Sequence, residues 1–428
     1  MRLVLTSAGV LFALSGCPSA GPVDTDTDTD ADTDADTDAD TDADCLAGDL
    51  LADLGVDHLI VGAAMEDATA ASAPFDARYH YLAGGLFDGD APCDSCLDAT
   101  CTSFGSSCTN NVGCAWWGCW QYDQDPPGAY VRSFVAQAEA DGQIPWFTYY
   151  ELLQASGVDE GSPQVEDAAR DVAFMHRYLA DYRFMLQQIG THRAFVHIEP
   201  DFWGYAEQLD PDAHALPAAV ASANPTDCAD EENSIAGMGR CMIAMARIYA
   251  PNVKVGLHGS SWATQFDVLA NDDASFDVEG HGAALGAFLV ACGADDADFI
   301  GVDASDRDAG YYATLGRDSW WDDTNATLPN FAQAFVWSRA VSLAVGKPVF
   351  WWQIPVGNME LNDTTDHWTD NRVDYFFDHP EEVAAGNSAG MLFGSGMTGM
   401  TTPETDGGNL VDRVTSYAAA GGQSACPP

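Results

Sequence analysis

From about residue 58 onward, short apolar runs alternate with amphipathic stretches of helical period. Eight runs have strand length and a β-rich make-up. They are His58–Ala64, Arg78–Gly84, Ile144–Tyr150, Ala194–Pro200, Val253–Gly259, Asp298–Ala304, Pro348–Ile354 and Ala389–Ser395. Helical patterns follow most clearly at Pro127–Ala140, Glu166–Ile189, Glu231–Ala250, Gly280–Cys292 and Pro329–Val345. Eight strand–helix units in alternation predict an α/β fold, a single (β/α)8 (TIM) barrel over residues 45–428. The competing arrangement is an open doubly wound sheet, and it lacks a glycine-rich phosphate fingerprint.

Parity within the strands then separates two faces, because alternate residues of a barrel strand point to the helices or to the axis. Val196 and Ile198 oppose His197 and Glu199. Val253, Val255 and Leu257 oppose Gly256 and His258, and Ile300 and Val302 oppose Gly301 and Asp303. The apolar sets belong under helices, so the polar sets are expected on the axis, late in each strand. The same rule turns Gln353, His80 and Tyr150 inward. Polar side chains at the C-terminal ends of several barrel strands are where such folds place their chemistry.

Glu199 leads the candidates, in the run Phe195-Val-His-Ile-Glu199-Pro-Asp201-Phe-Trp203. A carboxyl walled by Phe202 and Trp203 is partly desolvated, which raises its pKa and suits it to general-acid work. The structural alternative is a glutamate that bonds loop amides. Asp303 is the second carboxyl, with Asp201 and Asp306 behind it, and Asp306 or Asp308 has Arg307 as a plain ion-pair partner. Tyr149, Tyr150, Trp203, Tyr205, Trp262, Tyr311, Tyr312, Trp351 and Trp352 fall at or just after strand ends. Flat aromatic faces suit the C–H faces of sugar rings, and His, Gln and carboxylates suit hydroxyls. The expected binding set is therefore His80, Tyr150, Trp203, His258, Trp262, Asp306, Trp352 and Gln353, although core packing explains any single aromatic equally well.

Charge narrows the partners. The 428 residues carry 66 acidic and 16 basic side chains, a formal net charge of −50. A polyphosphate needs a basic surface, so nucleic acid is excluded, and polyanionic substrates are disfavoured. Eleven of the acidic residues are the aspartates at every even position from Asp24 to Asp44, alternating with Thr or Ala. An unbroken like-charge run stays extended and solvated, so 18–44 reads as a disordered linker. Calcium binding is its alternative, but no glycine turn or bidentate Glu marks a calcium loop.

Residues 1–17 read as an export signal: Arg2, the apolar run Leu3–Leu14, then Leu14-Ser-Gly-Cys17. This ending resembles the bacterial lipobox, which implies lipidation at Cys17. Pro18 in place of an inner-membrane retention Asp implies an outer-membrane lipoprotein facing the exterior, held to the membrane by its lipid alone. Six cysteines crowd into 93–119, a loop insertion expected to be stapled by disulfides, with a zinc knuckle as the alternative. Cys228 can pair with Cys241 and Cys45 with Cys426, which leaves Cys292 as a buried thiol. Trp116, Trp117 and Trp120 in the insertion form either a sugar-stacking platform or a small core.

Taken with the motifs around Glu199 and Gln353, the chain resembles the broad superfamily of (β/α)8 glycoside hydrolases. In its large retaining group an acid/base Glu ends the fourth strand and a nucleophilic Glu ends the seventh. Glu199 matches the first position, and Gln353, in Trp351-Trp-Gln-Ile-Pro355, stands at the second. A Gln cannot be a carboxylate nucleophile. The resemblance implies a glycoside hydrolase acting on a neutral poly- or oligosaccharide, and the departure at Gln353 leaves open an inverting scheme with Glu199 as acid and Asp303 activating water. The alternative it implies is a non-catalytic carbohydrate-binding barrel. No cofactor and no metal is expected, because His80, His197, His258 and Asp303 lack a His-x-His or His-Glu-x-x-His arrangement. The folded part is expected to act as a monomer.

Overall fold

The computed structural model describes residues 45–83, 86, 128–156 and 167–426. The signal with Cys17, the acidic linker and the cysteine-rich 93–119 insertion lie outside the described residues.

Eight parallel strands close into a barrel in sequence order. They are β1 (Ile60–Ala63), β2 (Ala77–Leu82), β3 (Ile144–Tyr149), β4 (Ala194–Ile198), β5 (Val253–Gly259), β6 (Phe299–Asp303), β7 (Val349–Ile354) and β8 (Ser388–Phe393). β1 pairs with β8 through Ile60↔Gly390 to Ala63↔Phe393, which closes the ring and removes every free sheet edge. Six of the eight predicted runs contain their strand whole, and β2 and β8 each begin one residue before theirs, at Ala77 and Ser388. The five predicted helices are present as Ala129–Ala140, Val172–Ile189, Ile235–Tyr249, Val278–Ala291 and Phe331–Val345. Their starts are chemically marked: Asp171, Ser234, Asp277 and Asn330 accept hydrogen bonds from first-turn amides.

The barrel interior is filled by aromatic rings. Trp146 of β3, Phe195 of β4, Phe299 of β6 and Phe350 of β7 meet on the axis, with centroids 4.8–5.7 Å apart. This layer is a packed floor rather than a pore. Trp351, one residue after Phe350, points the other way, to Phe335, Trp337 and Phe376 of the outer helices.

Both expected disulfides form. Cys228 joins Cys241, and Cys45 joins Cys426 across a sequence separation of 381 residues. Cys292 is a free, buried thiol. Among the described residues no helix is long and apolar enough to cross a membrane.

Candidate functional site

Above the aromatic floor the axis turns polar. Trp146 Nε1 donates to Thr148 Oγ1 at 3.1 Å, and Thr148 Oγ1 lies 3.5 Å from His197 Nδ1. His197 Nε2 is 3.1 Å from His258 Nδ1, and His258 Nε2 is 3.3 Å from Asp303 Oδ1. The last contact is close enough for an ion pair but too poorly angled for a hydrogen bond, so both of its atoms are buried and unsatisfied within the described residues. This file of side chains climbs from the floor to the rim. It needs a gap on β6: a side chain at Gly301 would collide with the His197 ring. Burial, and then the neighbouring His258, hold His197 well below the usual imidazole pKa, so it stays neutral.

Tyr81 of β2 is the centre of the rim. Its hydroxyl donates to Gln353 Oε1, and its ring meets Trp352 at 5.5 Å. Burial pushes its pKa well above the phenol value, followed by Tyr79 and then the negative charges of Asp201, Asp303 and Asp306. Those three carboxylates, from the ends of β4 and β6, all act electrostatically on this one hydroxyl. Tyr150, just past β3, donates from its hydroxyl to Asp201 Oδ2 at 3.1 Å. Asp306 is held by Arg307 and by the Tyr312 hydroxyl. Asp303 keeps 18 % of its side chain exposed, so the rim is reachable from solvent.

Two positive φ angles shape this end of the barrel. Asp201 has φ 69°, which caps the helix Phe202–Leu209 and leaves Asp201 beside Tyr150. Gln353 has φ 56°, and the β7–β8 register shifts between Trp351 and Ile354. That irregularity lets two consecutive residues, Trp352 and Gln353, both reach the axial cluster, where strict alternation admits only one.

The expected site residues divide. Tyr150, His258, Asp201, Asp303, Asp306, Trp352 and Gln353 gather at the C-terminal end of the barrel. His258 is only 1 % exposed and so lies beneath the rim. Trp262 stands half-buried on the β5 loop against Tyr205, 4.6 Å between centroids.

Three expectations need correction. His80 faces the helix layer: its Nδ1 is 2.7 Å from the Tyr130 hydroxyl and its ring packs on Phe134. Tyr79 and Tyr81 take the axial positions of β2, because Arg78 and His80 both find partners beneath the helices. Trp203 is 0 % exposed, its Nε1 donating to Ile198 O, so it is core rather than binding surface.

Glu199 does not line the axis. At φ 50° its carboxyl swings outward, where Oε1 accepts from Glu151 N and Leu152 N, each at 3.0 Å, and from the Tyr178 hydroxyl at 2.8 Å. It is 0 % exposed, and Oε2 has no partner among the described residues. Burial pushes its pKa up to about 7, partly offset by those three hydrogen bonds.

Tyr81 was missed by sequence reasoning. The signal was present in the Tyr79/Tyr81 alternation, but Arg78 and His80 made both faces of β2 polar.

The fold is thus that of the (β/α)8 barrels, with carboxylates gathered at the end where those barrels carry their sites. No protein-family model and no curated protein matches the sequence. Among solved structures, the chain is similar to a modular endo-β-1,4-mannanase from Cellulomonas fimi at 12% identity and TM-score 0.46, covering 89% of this chain and 75% of that one. It is similar to an endo-β-1,4-mannanase from Thermotoga petrophila at 12% identity and TM-score 0.42, covering 86% and 77%. A GH53 catalytic domain from Ignisphaera aggregans aligns at 10% identity and TM-score 0.43, covering 87% and 95%.

Proposed function

We propose that this chain is a glycoside hydrolase that cleaves a neutral poly- or oligosaccharide with inversion, using Asp201 as general acid and Asp303 as general base. The observation that carries the reading is the placement of Asp201 and Asp303 at the C-terminal ends of β4 and β6, Asp201 accepting from the Tyr150 hydroxyl and Asp303 lying 3.3 Å from His258 Nε2. Asp201 protonates the leaving glycosidic oxygen. Asp303 takes a proton from the water that attacks the anomeric carbon on the opposite face. Asp201 ends as a carboxylate and Asp303 ends protonated, and proton exchange with solvent resets both.

Strands β4 and β6 are two steps apart, about 10 Å at ~4.8 Å per step. That is at the upper edge of the roughly 6.5–9.5 Å that separates inverting pairs and leaves room for the water. Gln353 and Tyr81 supply a carboxamide and a hydroxyl for sugar hydroxyls, and Trp262 offers a ring face. Glu199 holds the β3 and β4 loops in register and so positions Asp201. A rim of three carboxylates, with Arg307 already engaged by Asp306, repels anionic sugars and favours neutral ones.

The test is hydrolysis of neutral β- and α-glycans followed by proton NMR of the first product anomer. Inversion, with Asp201→Asn and Asp303→Asn each lowering kcat by about 10²–10⁴, supports the reading. Retention, or two fully active variants, overturns it. Gln353, in place of a carboxylate at the end of β7, favours one second reading, a barrel that binds glycan without cleaving it. Saturable glycan binding with no product by mass spectrometry selects that reading. We place the protein on the outer membrane as a monomer anchored through Cys17, which metabolic labelling with a radiolabelled fatty acid in wild type and Cys17→Ser tests.

A further inference from the structure

The file of side chains that climbs to Asp303 has two unlike ends, and each end constrains where its hydrogens lie. Thr148 and His197 are fully enclosed, and His258 is nearly so. Aromatic rings wall the two imidazoles. Trp352 stands 5.0 Å from His197 and 5.6 Å from His258, and Trp146 and Phe299 cover His197 at 5.7 and 6.4 Å. Among the described residues their ring nitrogens therefore meet only Thr148 Oγ1, each other and Asp303 Oδ1.

A neutral imidazole has one N–H and one bare nitrogen. A single hydrogen lies between His197 Nε2 and His258 Nδ1, so the two rings donate in the same direction along the file. In the upward order, Thr148 donates to His197 Nδ1, His197 Nε2 donates to His258 Nδ1, and the Nε2–H of His258 faces Asp303. In the downward order each donation is reversed. At the floor, the indole of Trp146 is a donor only and already gives its hydrogen to Thr148 Oγ1. The downward order would make Thr148 accept twice and leave its own hydrogen without an acceptor among the described residues. At the rim it would set the bare Nε2 of His258 3.3 Å from a carboxylate oxygen, lone pair against lone pair. The upward order serves both ends, because an N–H beside a carboxylate is attractive even at a poor angle. A doubly protonated His258 would force the downward order on His197 and Thr148.

We propose that Thr148 and His197 are positioning residues that hold His258 as its Nε2–H tautomer, so that His258 occupies Oδ1 of Asp303 and the general base acts through Oδ2. The role of Asp303 rests on the hydrolytic reading, whereas the order of the hydrogens does not. Oδ1 is buried while the Asp303 side chain keeps 18 % of its surface, so the open side of the carboxyl is that of Oδ2. In turnover Oδ2 takes a proton from the attacking water as the water oxygen bonds to the anomeric carbon. The bond from that carbon to the glycosidic oxygen breaks, and the leaving oxygen takes the proton of Asp201. Oδ1 keeps the N–H of His258 before it and after it, so the carboxyl holds one orientation through the cycle.

The test is long-range proton–nitrogen correlation NMR at pH 7 on the full chain labelled with ¹⁵N-histidine, with His197→Gln and His258→Asn assigning the two rings. Both rings are expected to be neutral, each protonated on Nε2 with Nδ1 bare. Thr148→Val is near-isosteric and removes only the hydroxyl. The His197 Nδ1 resonance should then move toward that of a nitrogen with no donor, and kcat should fall about three- to tenfold with KM unchanged. Thr148→Ser should restore both. A His258 hydrogen on Nδ1, a doubly protonated His258, or a Thr148→Val protein with wild-type resonance and turnover overturns the proposal. The wild-type spectrum decides the tautomers even if Thr148→Val fails to fold. A chain that shows both Nε2–H tautomers yet binds glycan without cleaving it supports the donor order and overturns the hydrolytic reading alone.

Discussion

Glu199 offers a measurement in which position, charge and stability are linked. Its carboxyl is enclosed, and its pKa moves from 4.5 to about 7 because burial disfavours the ionised form. Below the unfolded value both states hold the proton, and above the folded value both have released it. Between them the folded protein holds a proton that the unfolded chain has lost. Stability from this group is therefore full at about pH 4 and is lost as pH rises through the folded value. At about 1.4 kcal/mol per unit the loss is about 3 kcal/mol. Glu199→Gln retains an oxygen for Glu151 N, Leu152 N and Tyr178 Oη and removes the titration. Its new NH₂ replaces Oε2, which has no hydrogen-bond partner among the described residues, and leaving that group unpaired costs about 1–2 kcal/mol. Urea denaturation followed by Trp fluorescence should find the variant weaker than wild type at pH 4 and stronger at pH 8. The difference between the two proteins cancels every other titrating group. A variant that tracks wild type at constant offset from pH 4 to pH 8 refutes the enclosed, protonated Glu199. Turnover retained within a few-fold at neutral pH would also separate its positioning role from the acid role assigned to Asp201.

Other consequences follow from neighbouring features. Asp308 accepts from Gly357 N and Thr401 N, each at 2.9 Å, so its carboxyl ties the β7 and β8 loops together. Asp308→Ala leaves two buried amides unpaired and should cost about 2–5 kcal/mol by chemical denaturation, whereas Asp308→Asn should cost less. Trp146→Ala opens the aromatic floor and should cost about 3–5 kcal/mol, read as a lower Tm by calorimetry. His258→Asn breaks the file between His197 and Asp303, so kcat should fall about tenfold with KM nearly unchanged. A shift in KM alone would place His258 on the substrate instead. Removing the terminal bridge in the double variant Cys45→Ala, Cys426→Ala should destabilise the barrel by up to about 5 kcal/mol, the upper range for so long a loop.

The strands were legible because parallel barrel strands are apolar on the helix side for their whole length, and Val196, Ile198, Val255 and Ile300 displayed that face openly. Parity then correctly turned His197, His258 and Asp303 to the axis. It failed where the outward face is polar. On β2 the outward residues are Arg78 and His80, satisfied by Met65 O, Asp67 and Tyr130, none of which is visible from local pattern. It failed again where the backbone leaves the β region. Glu199 and Asp201 both have positive φ, so alternation ceases to apply immediately after β4, and the two carboxyls part company. The same exception at Gln353 worked in the opposite sense and kept it on the axis. The flanking Cys45–Cys426 and Cys228–Cys241 pairs were legible from spacing alone, since each brackets a single structural unit.

The junction at Cys45–Cys426 also sets a direction. Leu59 N, immediately before β1, donates to Gln423 O, so the chain begins and ends its barrel at the N-terminal ends of the strands. Asp201, Asp303 and Gln353 stand at the C-terminal ends. An attachment made at either end of the described residues, beside the Cys45–Cys426 bridge, therefore sits at the blind side of the barrel. A surface crowded with molecules immobilised there would leave every carboxylate-bearing mouth pointing outward.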